Sequence, residues 1–442
     1  MDPKTLFAQT PPGRLFLTAA LPGAIGMLAS ALYQLIDGVL VGQVLGEAAF
    51  AAINLAMPFV IINFALADLI GVGSSVPISV RLGQGDERAA NNIFTCACLL
   101  IFGTGALIGA VLFLAAPALL TLMGAEGELA GLAVQYLRVY ALCSPLSTFI
   151  FAMDNYLRIC GKIRMSMWLN ILMSVLIVVL EFTFLSIFHW GIWAAALASS
   201  LGMILCVLVA LIPFARGRLQ LQFCRPRFSL PVIQQIVACG SPNFLNNVAA
   251  RVTSILMNAV LLRMGGQNAV SIYGILMYAD GFIQPLLYGC CDSLQPAVSY
   301  NWGARNLQRI WAIERYCFSA AAAISLLSAV VLFAFPGAVT TLFLSDMDAA
   351  FLDAAQTAIR LFALTYLTRW FSFAAQSLMT AVERAMAASV ISTSTALFFP
   401  VALIIVLWPL GLTGIWLNFA ATALLAGLLS AGLLLRFFKR LK

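Results

Sequence analysis

LPGAIGMLASALYQLIDGVLVGQVLGEAAFAAINLAMP, residues 21–58, decides the fold. Asp37 and Glu47 are its only charged side chains. The stretch joins two apolar runs, near 14–40 and 48–77, through a short connection at 41–47. Each run exceeds the roughly 20 residues that an α-helix needs to cross a bilayer. Backbone groups in lipid must satisfy one another, so runs of this length are expected to be spanning helices. A lipid-facing barrel would show short alternating strands instead.

The same texture continues to the end of the chain. Charged residues make up 9% of the 442 positions and hydrophobic ones 62%, too little charge to cover a soluble surface of this size. Further apolar runs lie near 91–115, 129–153, 163–187 and 191–215. A second set lies near 232–263, 269–299, 311–335, 350–379, 386–407 and 412–436.

Lys and Arg collect in alternate connections. Arg81 and Arg88, then Arg158, Lys162 and Arg164, then Arg216, Arg218, Arg225 and Arg227 fall on one side. Arg305, Arg309, Arg315, Arg384, Arg436, Lys439, Arg440 and Lys442 continue that side. The opposite connections (41–47, 116–128, 187–191, 264–269, 336–349 and 408–411) hold no Lys or Arg, but do carry Glu47, Glu126, Glu128, Asp346 and Asp348. The positive-inside rule then puts both termini in the cytoplasm, which requires an even number of spans; twelve fits. The net charge of +7 is therefore an orientation signal and not a nucleic-acid footprint. Ten cysteines without CxxC spacing read as reduced, apolar residues, and the first apolar run reads as retained, not as a cleaved signal.

Sliding the chain along itself so that Pro22 meets Pro242 also brings Ala29 to Ala249, Gly46 to Gly266 and Ala49 to Ala269. Met57 then meets Met277, Ser79 meets Ser299, Gly83 meets Gly303 and Gly191 meets Gly411. No single match means much; their common register does. The expected fold is all-α: a polytopic membrane protein of twelve transmembrane helices in two pseudo-symmetric six-helix bundles. The N-terminal lobe is 1–215, the basic segment 216–231 with Pro226 and Pro231 is the linker, and the C-terminal lobe is 232–442. Six spans per half insert in the same direction, a plan used by alternating-access carriers.

Ionisable groups at membrane depth are costly, by roughly 2.5–3.5 kcal/mol each, and mark function by default. Asp37 lies ~7 Å, Glu181 ~9 Å and Ser199 ~12 Å from the outer ends of their spans at 1.5 Å per residue. All three can share one layer in the outer half of the first lobe. A carboxyl pair there resists double ionisation and suits a shared proton or a bound cation such as Na+. The plainer alternative has Asp37 capping its helix near Gly38 and Gly42 and Glu181 snorkelling outward. Met257 takes the place of Asp37 in the second lobe, whose charges are Arg251, Asp280 and Arg369 near mid-depth. Buried pairing, for example Arg251 with Asp280, is expected there, with contact to substrate as the alternative. Asp68 and Asp292 fall toward the cytoplasmic half, with local polar partners expected. Tyr33, Met57, Phe64, Tyr273, Met277 and Tyr288 are candidates to line a lipophilic cleft, although each alone suits helix packing. No His or Cys set has metal spacing, which disfavours an enzyme, and no filter-like loop suggests a channel.

The opening stretch, followed by GVGSSVPISVRLGQGDERAA at 71–90, resembles the first two helices of multidrug and toxic compound extrusion (MATE) transporters, and LQPAVSYNWGARN at 294–306 resembles the matching motif of their second lobe. The resemblance implies that an acid at the position of Asp37 couples export to H+ or Na+. The family often carries an Asn four residues before an Asp-Pro in helix 5, and a Thr in helix 6. Here Ile177, Glu181, Phe182 and Ser199 stand at those places. Glu and Ser keep the ligand chemistry, while the missing Asn and Pro weaken a Na+ site and favour H+. The implied protein is an antiporter that exports small amphiphilic cations from the plasma (inner) membrane, as a lipid-embedded monomer with no cofactor beyond the coupling ion. Its expected roles are multidrug efflux and antibiotic resistance. A lipid or lipid-linked oligosaccharide flippase is the nearest alternative, and it would want a more basic cavity than Arg251 and Arg369 supply.

Overall fold

The computed structural model describes residues 4–124, 126–343 and 349–441. Asp346, Asp348 and Lys442 of the charge pattern lie outside the described residues. Helices account for nearly all of the rest, and no strand occurs among the described residues. The first half holds α1 (Pro12–Leu45), α2 (Glu47–Gly83), α3 (Glu87–Leu122), α4 (Gly127–Ser147), α5 (Phe149–Ile159), α6 (Ile163–Phe182) and α7 (Ile192–Ala215). The second holds α8 (Leu230–Cys291), α9 (Gln295–Gly303), α10 (Leu307–Ala334), α11 (Pro336–Phe343) and α12 (Ala349–Ala363). It ends with α13 (Arg369–Ala381), α14 (Ala385–Thr393), α15 (Phe399–Leu407) and α16 (Gly411–Leu441).

Nine helical stretches among the described residues are long and apolar enough to cross a membrane, so the chain is a multi-pass membrane protein. Two of them, Leu230–Gly303 and Ala385–Lys439, are long enough for more than one crossing, and each is interrupted by a glycine at positive φ, Gly266 and Gly411. Dividing those two and adding the α12–α13 stretch accommodates twelve spans.

The repeat is clearer in the backbone than in the residues. Gly46 (φ 83°) ends α1 and Gly266 (φ 65°) breaks α8, each turning the chain where a β-carbon would cost about 1–2 kcal/mol. The Asp86 carboxylate accepts from the Ala89 N–H at 3.0 Å and caps α3; the Asn306 side chain does the same for Arg309 at 3.1 Å and caps α10. Asp86 and Asn306 stand in the register that also pairs Gly46 with Gly266.

The chain forms two compact units. The first gathers Met1–Thr10, Ile25–Gly240 and Ser299–Arg305; the second gathers Pro11–Ala24, Ser241–Val298 and Asn306–Lys442. In the first, Ala52 and Ala56 of α2, Leu112 and Leu120 of α3, Tyr136 and Leu137 of α4 and Ala194 and Ala196 of α7 form one buried core. Small residues bring these helices close, as where Gly105 and Gly109 of α3 lie against the α4 backbone at Ser144 and Ala141. In the second, Met257, Leu261 and Tyr273 of α8 pack with Phe362, Tyr366 and Trp416. Leucines and isoleucines such as Leu122 (85% exposed) and Ile405 (72%) face outward, as lipid requires.

The stretch between α7 and α8 is irregular but not loose. The backbone N–H groups of Gln222, Cys224 and Arg227 donate to Asn91 (2.9 Å), Thr95 (3.1 Å) and Asn92 (2.7 Å) at the start of α3. The Asn92 amide returns a bond to the Arg227 carbonyl at 3.1 Å. Phe223 meets Phe94 at a tilt, ring centroids 5.0 Å apart, and Leu221 is fully buried. The basic linker is therefore fastened to the first unit as far as Arg227.

Candidate functional site

In the first unit, α1 and α6 bring Asp37 and Glu181 within hydrogen-bonding reach of each other. Glu181 is the penultimate residue of α6 and is fully buried; a π-helical turn, Thr183–Ile187, follows it directly. Such turns disrupt the regular ladder and recur at functional sites. Neither Glu181 oxygen receives a donated hydrogen bond from the described residues. Fully buried without donors, the Glu181 carboxylate would lose its hydration on ionising and would meet the charge of the half-buried Asp37, which disfavours two ionised carboxylates face to face. One proton between them turns the contact into an O–H···O bond and removes the conflict.

Tyr33, one turn before Asp37 on α1, and Tyr136 of α4 both lie close enough to feel the charge of the two acids. Below them, the Asn63 amide donates to the Tyr140 hydroxyl (3.1 Å) and to Ser144 (2.5 Å), and Ser144 donates to the Gly105 carbonyl (3.1 Å). Phe64 meets Tyr140 and Phe151 edge-on, and both Phe64 and Met57 pack against the core of the unit. Ser199 lies on α7, half-buried, and no hydrogen bond joins it to either acid among the described residues. Ile177, one turn before Glu181, is fully buried and packs against Gly202.

In the second unit, Asp280 pairs with Arg369, not with Arg251. The guanidinium reaches Oδ1 at 2.8 Å and Oδ2 at 3.3 Å, and the Tyr366 hydroxyl also donates to Oδ1. Arg369 lies over the Tyr366 ring, with its guanidinium carbon 5.8 Å from the centroid. Tyr273 donates to Ser254 (3.4 Å), Tyr288 accepts from Asn246 (3.4 Å) and meets Phe373 edge-on, and Met277 packs against the core. Asp292 accepts from Gln295 and Ser377, each at 2.9 Å.

Several polar groups escaped the reading of the sequence. Arg158 stands beside loop residues in the chain, yet it is 2% exposed and holds Asp154 at 2.7 Å, with Ser166 and Asn170 also donating to that carboxylate. Glu314, set between Arg309 and Arg315, looks interfacial but is buried beside Cys291 and Cys317, and its Oε2 has no donor among the described residues. Tyr136 carried no signal beyond being a polar-tipped ring in an apolar run.

Bilayer-length helices folded into two units, each with polar groups at membrane depth, define a polytopic carrier architecture. A family model described as MatE matches residues 22–183 and 242–406, its two matches opening at the prolines that set the repeat register. The chain belongs to that family, the MATE transporters. The multidrug export protein MepA of Staphylococcus saprophyticus is 26% identical over 291 residues, 64% of this chain and 63% of the relative. MepA of Staphylococcus aureus is 26% identical over 304 residues, 67% of this chain and 66% of the relative. The chain thus spans just under two thirds of the length of these relatives. A MATE crystallised in complex with MaL6 superposes with a TM-score of 0.91 over 97% of this chain and 96% of that chain at 23% identity, and so shares the fold.

Proposed function

We propose that this protein is an antiporter that exports amphiphilic cations across the plasma (inner) membrane in exchange for H+ by alternating access. The Asp37–Glu181 contact carries this reading. A buried acid pair that holds one proton can release it when a cation binds and recover it when the cation leaves. Asp37, the more accessible acid, is the exchange group; Glu181 is the partner that shares the proton. Tyr33, half-buried one turn before Asp37, supplies a ring face and hydroxyl beside the acids for a cationic amphiphile. The apolar Ile177 in place of a further oxygen donor supports H+ over Na+, since a sodium ion wants more oxygens than two carboxyls provide. That MepA proteins are named for multidrug export agrees with this substrate class. Both termini face the cytoplasm on the charge pattern, and the chain acts as a monomer. Because the linker is fastened to α3 as far as Arg227, it moves with the first unit.

The test is reconstitution in liposomes with H+ and Na+ gradients imposed separately, following efflux of a fluorescent cation. The H+ gradient drives efflux in the parent and fails to do so in Asp37→Asn. Equal transport by Asp37→Asn under both gradients overturns the assignment.

A further inference from the structure

The linker between α7 and α8 dips along α3 and comes back. The Gln220 amide donates to Glu87 (3.2 Å), the Gln222 N–H to Asn91 and the Cys224 N–H to Thr95, after which the Arg227 N–H returns to Asn92. Thr95 stands ~12 Å along α3 from Glu87, taking 1.5 Å per residue. Phe223, Cys224 and Arg225 are the tip of the dip, with Phe223 against Phe94 and the Cys224 sulfur 3.6 Å from the Thr95 hydroxyl. That side of α3 belongs to lipid. Asn92 and Thr95 continue at spacings of three and four residues into Leu99 (46% exposed) and Phe102 (47%). Leu99 is the first exposed apolar residue of α3 and lies ~6 Å deeper than Thr95 and ~10 Å deeper than Asn92. A headgroup layer is roughly 5–8 Å thick on each side of the hydrocarbon, so the tip falls within it.

Two kinds of side chain are brought to this level. Arg225 and Arg227 are exposed and form no ion pair among the described residues, and Phe223 and Phe228 beside them are exposed as well. Residues 216–231 hold Arg216, Arg218, Arg225 and Arg227 but no Asp or Glu. At the start of α3, Asp86 caps the helix and Glu87 accepts from Gln220, and neither forms an ion pair among the described residues. Pro226 biases Arg225 toward extended backbone, which puts Arg225 and Arg227 on one side of the chain about 6–7 Å apart. The Asn92 side chain holds both backbone groups of Arg227, so the position of that arginine is set before any ligand arrives.

We propose that Arg225 and Arg227 form a binding site for the headgroup of an anionic phospholipid in the leaflet on the basic side of the chain, with Phe223 and Phe228 set at the acyl boundary. The site is independent of the export reading above. Guanidinium forks match the paired oxygens of a phosphodiester, and exposed rings between basic side chains suit the boundary between headgroup and acyl chain. A soluble protein or nucleic acid would have to reach a surface that lies over the lipid-facing side of α3.

Cys224, the one exposed cysteine among the described residues, takes a bimane label for the experiment. The full-length protein is reconstituted in phosphatidylcholine vesicles doped with phosphatidylglycerol or phosphatidylcholine carrying a nitroxide high on one acyl chain, and quenching reads the enrichment of each lipid at the label. Each arginine near an anionic surface contributes about fivefold in association, so phosphatidylglycerol is enriched about tenfold or more over phosphatidylcholine. Arg225→Gln with Arg227→Gln lowers this to about twofold or less, while thermal unfolding and quenching by the phosphatidylcholine probe stay at the parent values. Arg225→Lys with Arg227→Lys keeps most of the enrichment, and Gln at Arg436 and Lys439 of the second unit keeps all of it. Equal enrichment of the two lipids in the parent overturns the site. An equal loss from the changes at Arg436 and Lys439 makes the effect one of total charge and overturns it as well. Enrichment abolished by glycerol phosphate at constant ionic strength assigns the arginines to a soluble phosphate and also overturns the proposal.

Discussion

Gly83 and Gly303 hold each other's helices by reciprocal contacts. A β-carbon on Gly83 would be driven into the carbonyl oxygen of Tyr300, and one on Gly303 into that of Val80. Gly83 matches Gly303 in the repeat register and Val80 matches Tyr300, so the contact is locally two-fold within the first unit. Both neighbours are backbone, which cannot rotate aside as a side chain would.

Replacing Gly83 with Leu should therefore cost about 1–3 kcal/mol by overpacking. Gly103 of α3, with open space around its position, should accept Ala with no loss or a gain of up to ~1 kcal/mol from helix propensity. Thermal unfolding in detergent separates the two, and identical midpoints for both variants would contradict the contact geometry.

The acid pair sets a direction for pH. Protonation of a carboxylate site removes the charge that attracts a cation, so affinity for a fluorescent cation should fall as pH falls. The slope approaches about tenfold per pH unit where one proton is displaced. Asp37→Asn should flatten that dependence. Equilibrium binding titrations at several pH values provide the check, and an unchanged slope in the variant counts against exchange at Asp37.

The Asp280–Arg369 pair should behave as a partly buried unit. Asp280→Ala leaves Arg369 without its counter-ion and should cost about 3–5 kcal/mol, whereas Asp280→Leu combined with Arg369→Met should recover much of that. A double-mutant cycle on thermal stability measures the coupling. Additive losses would show that the two residues act independently.

Release of the linker is open to a protease. Asn92→Ala removes one donor and one acceptor that hold Arg227, worth about 1 kcal/mol each. Trypsin cleavage after Arg227 should then speed up several-fold, while cleavage elsewhere stays at the parent rate. Mass spectrometry of the early fragments reads the outcome.

Much of this molecule was legible before any coordinate. Apolar runs of bilayer length dictate helices because lipid offers the backbone no other partner, and the common register of Pro22, Gly46 and Gly83 with their counterparts announces a doubled unit. Depth counted along single helices was enough to set Asp37 and Glu181 in one layer, because rise per residue is constant. The same counting carried Ser199 into that layer, yet it says nothing of rotation about the helix axis, and among the described residues no hydrogen bond joins Ser199 to the acids.

Choices among distant partners belong to the tertiary structure alone. Asp280 had two arginines to choose from at similar depth, and the turn before α13 delivers Arg369 while the pitch of α8 carries Arg251 onto another face. Arg158 and Glu314 look like surface charges in the chain and are buried by helices that arrive from elsewhere. Sequence determined which segments enter the membrane, because hydropathy is a local sum. Which charges find partners there depends on helix rotation and packing, and those are set only when all the helices are in place.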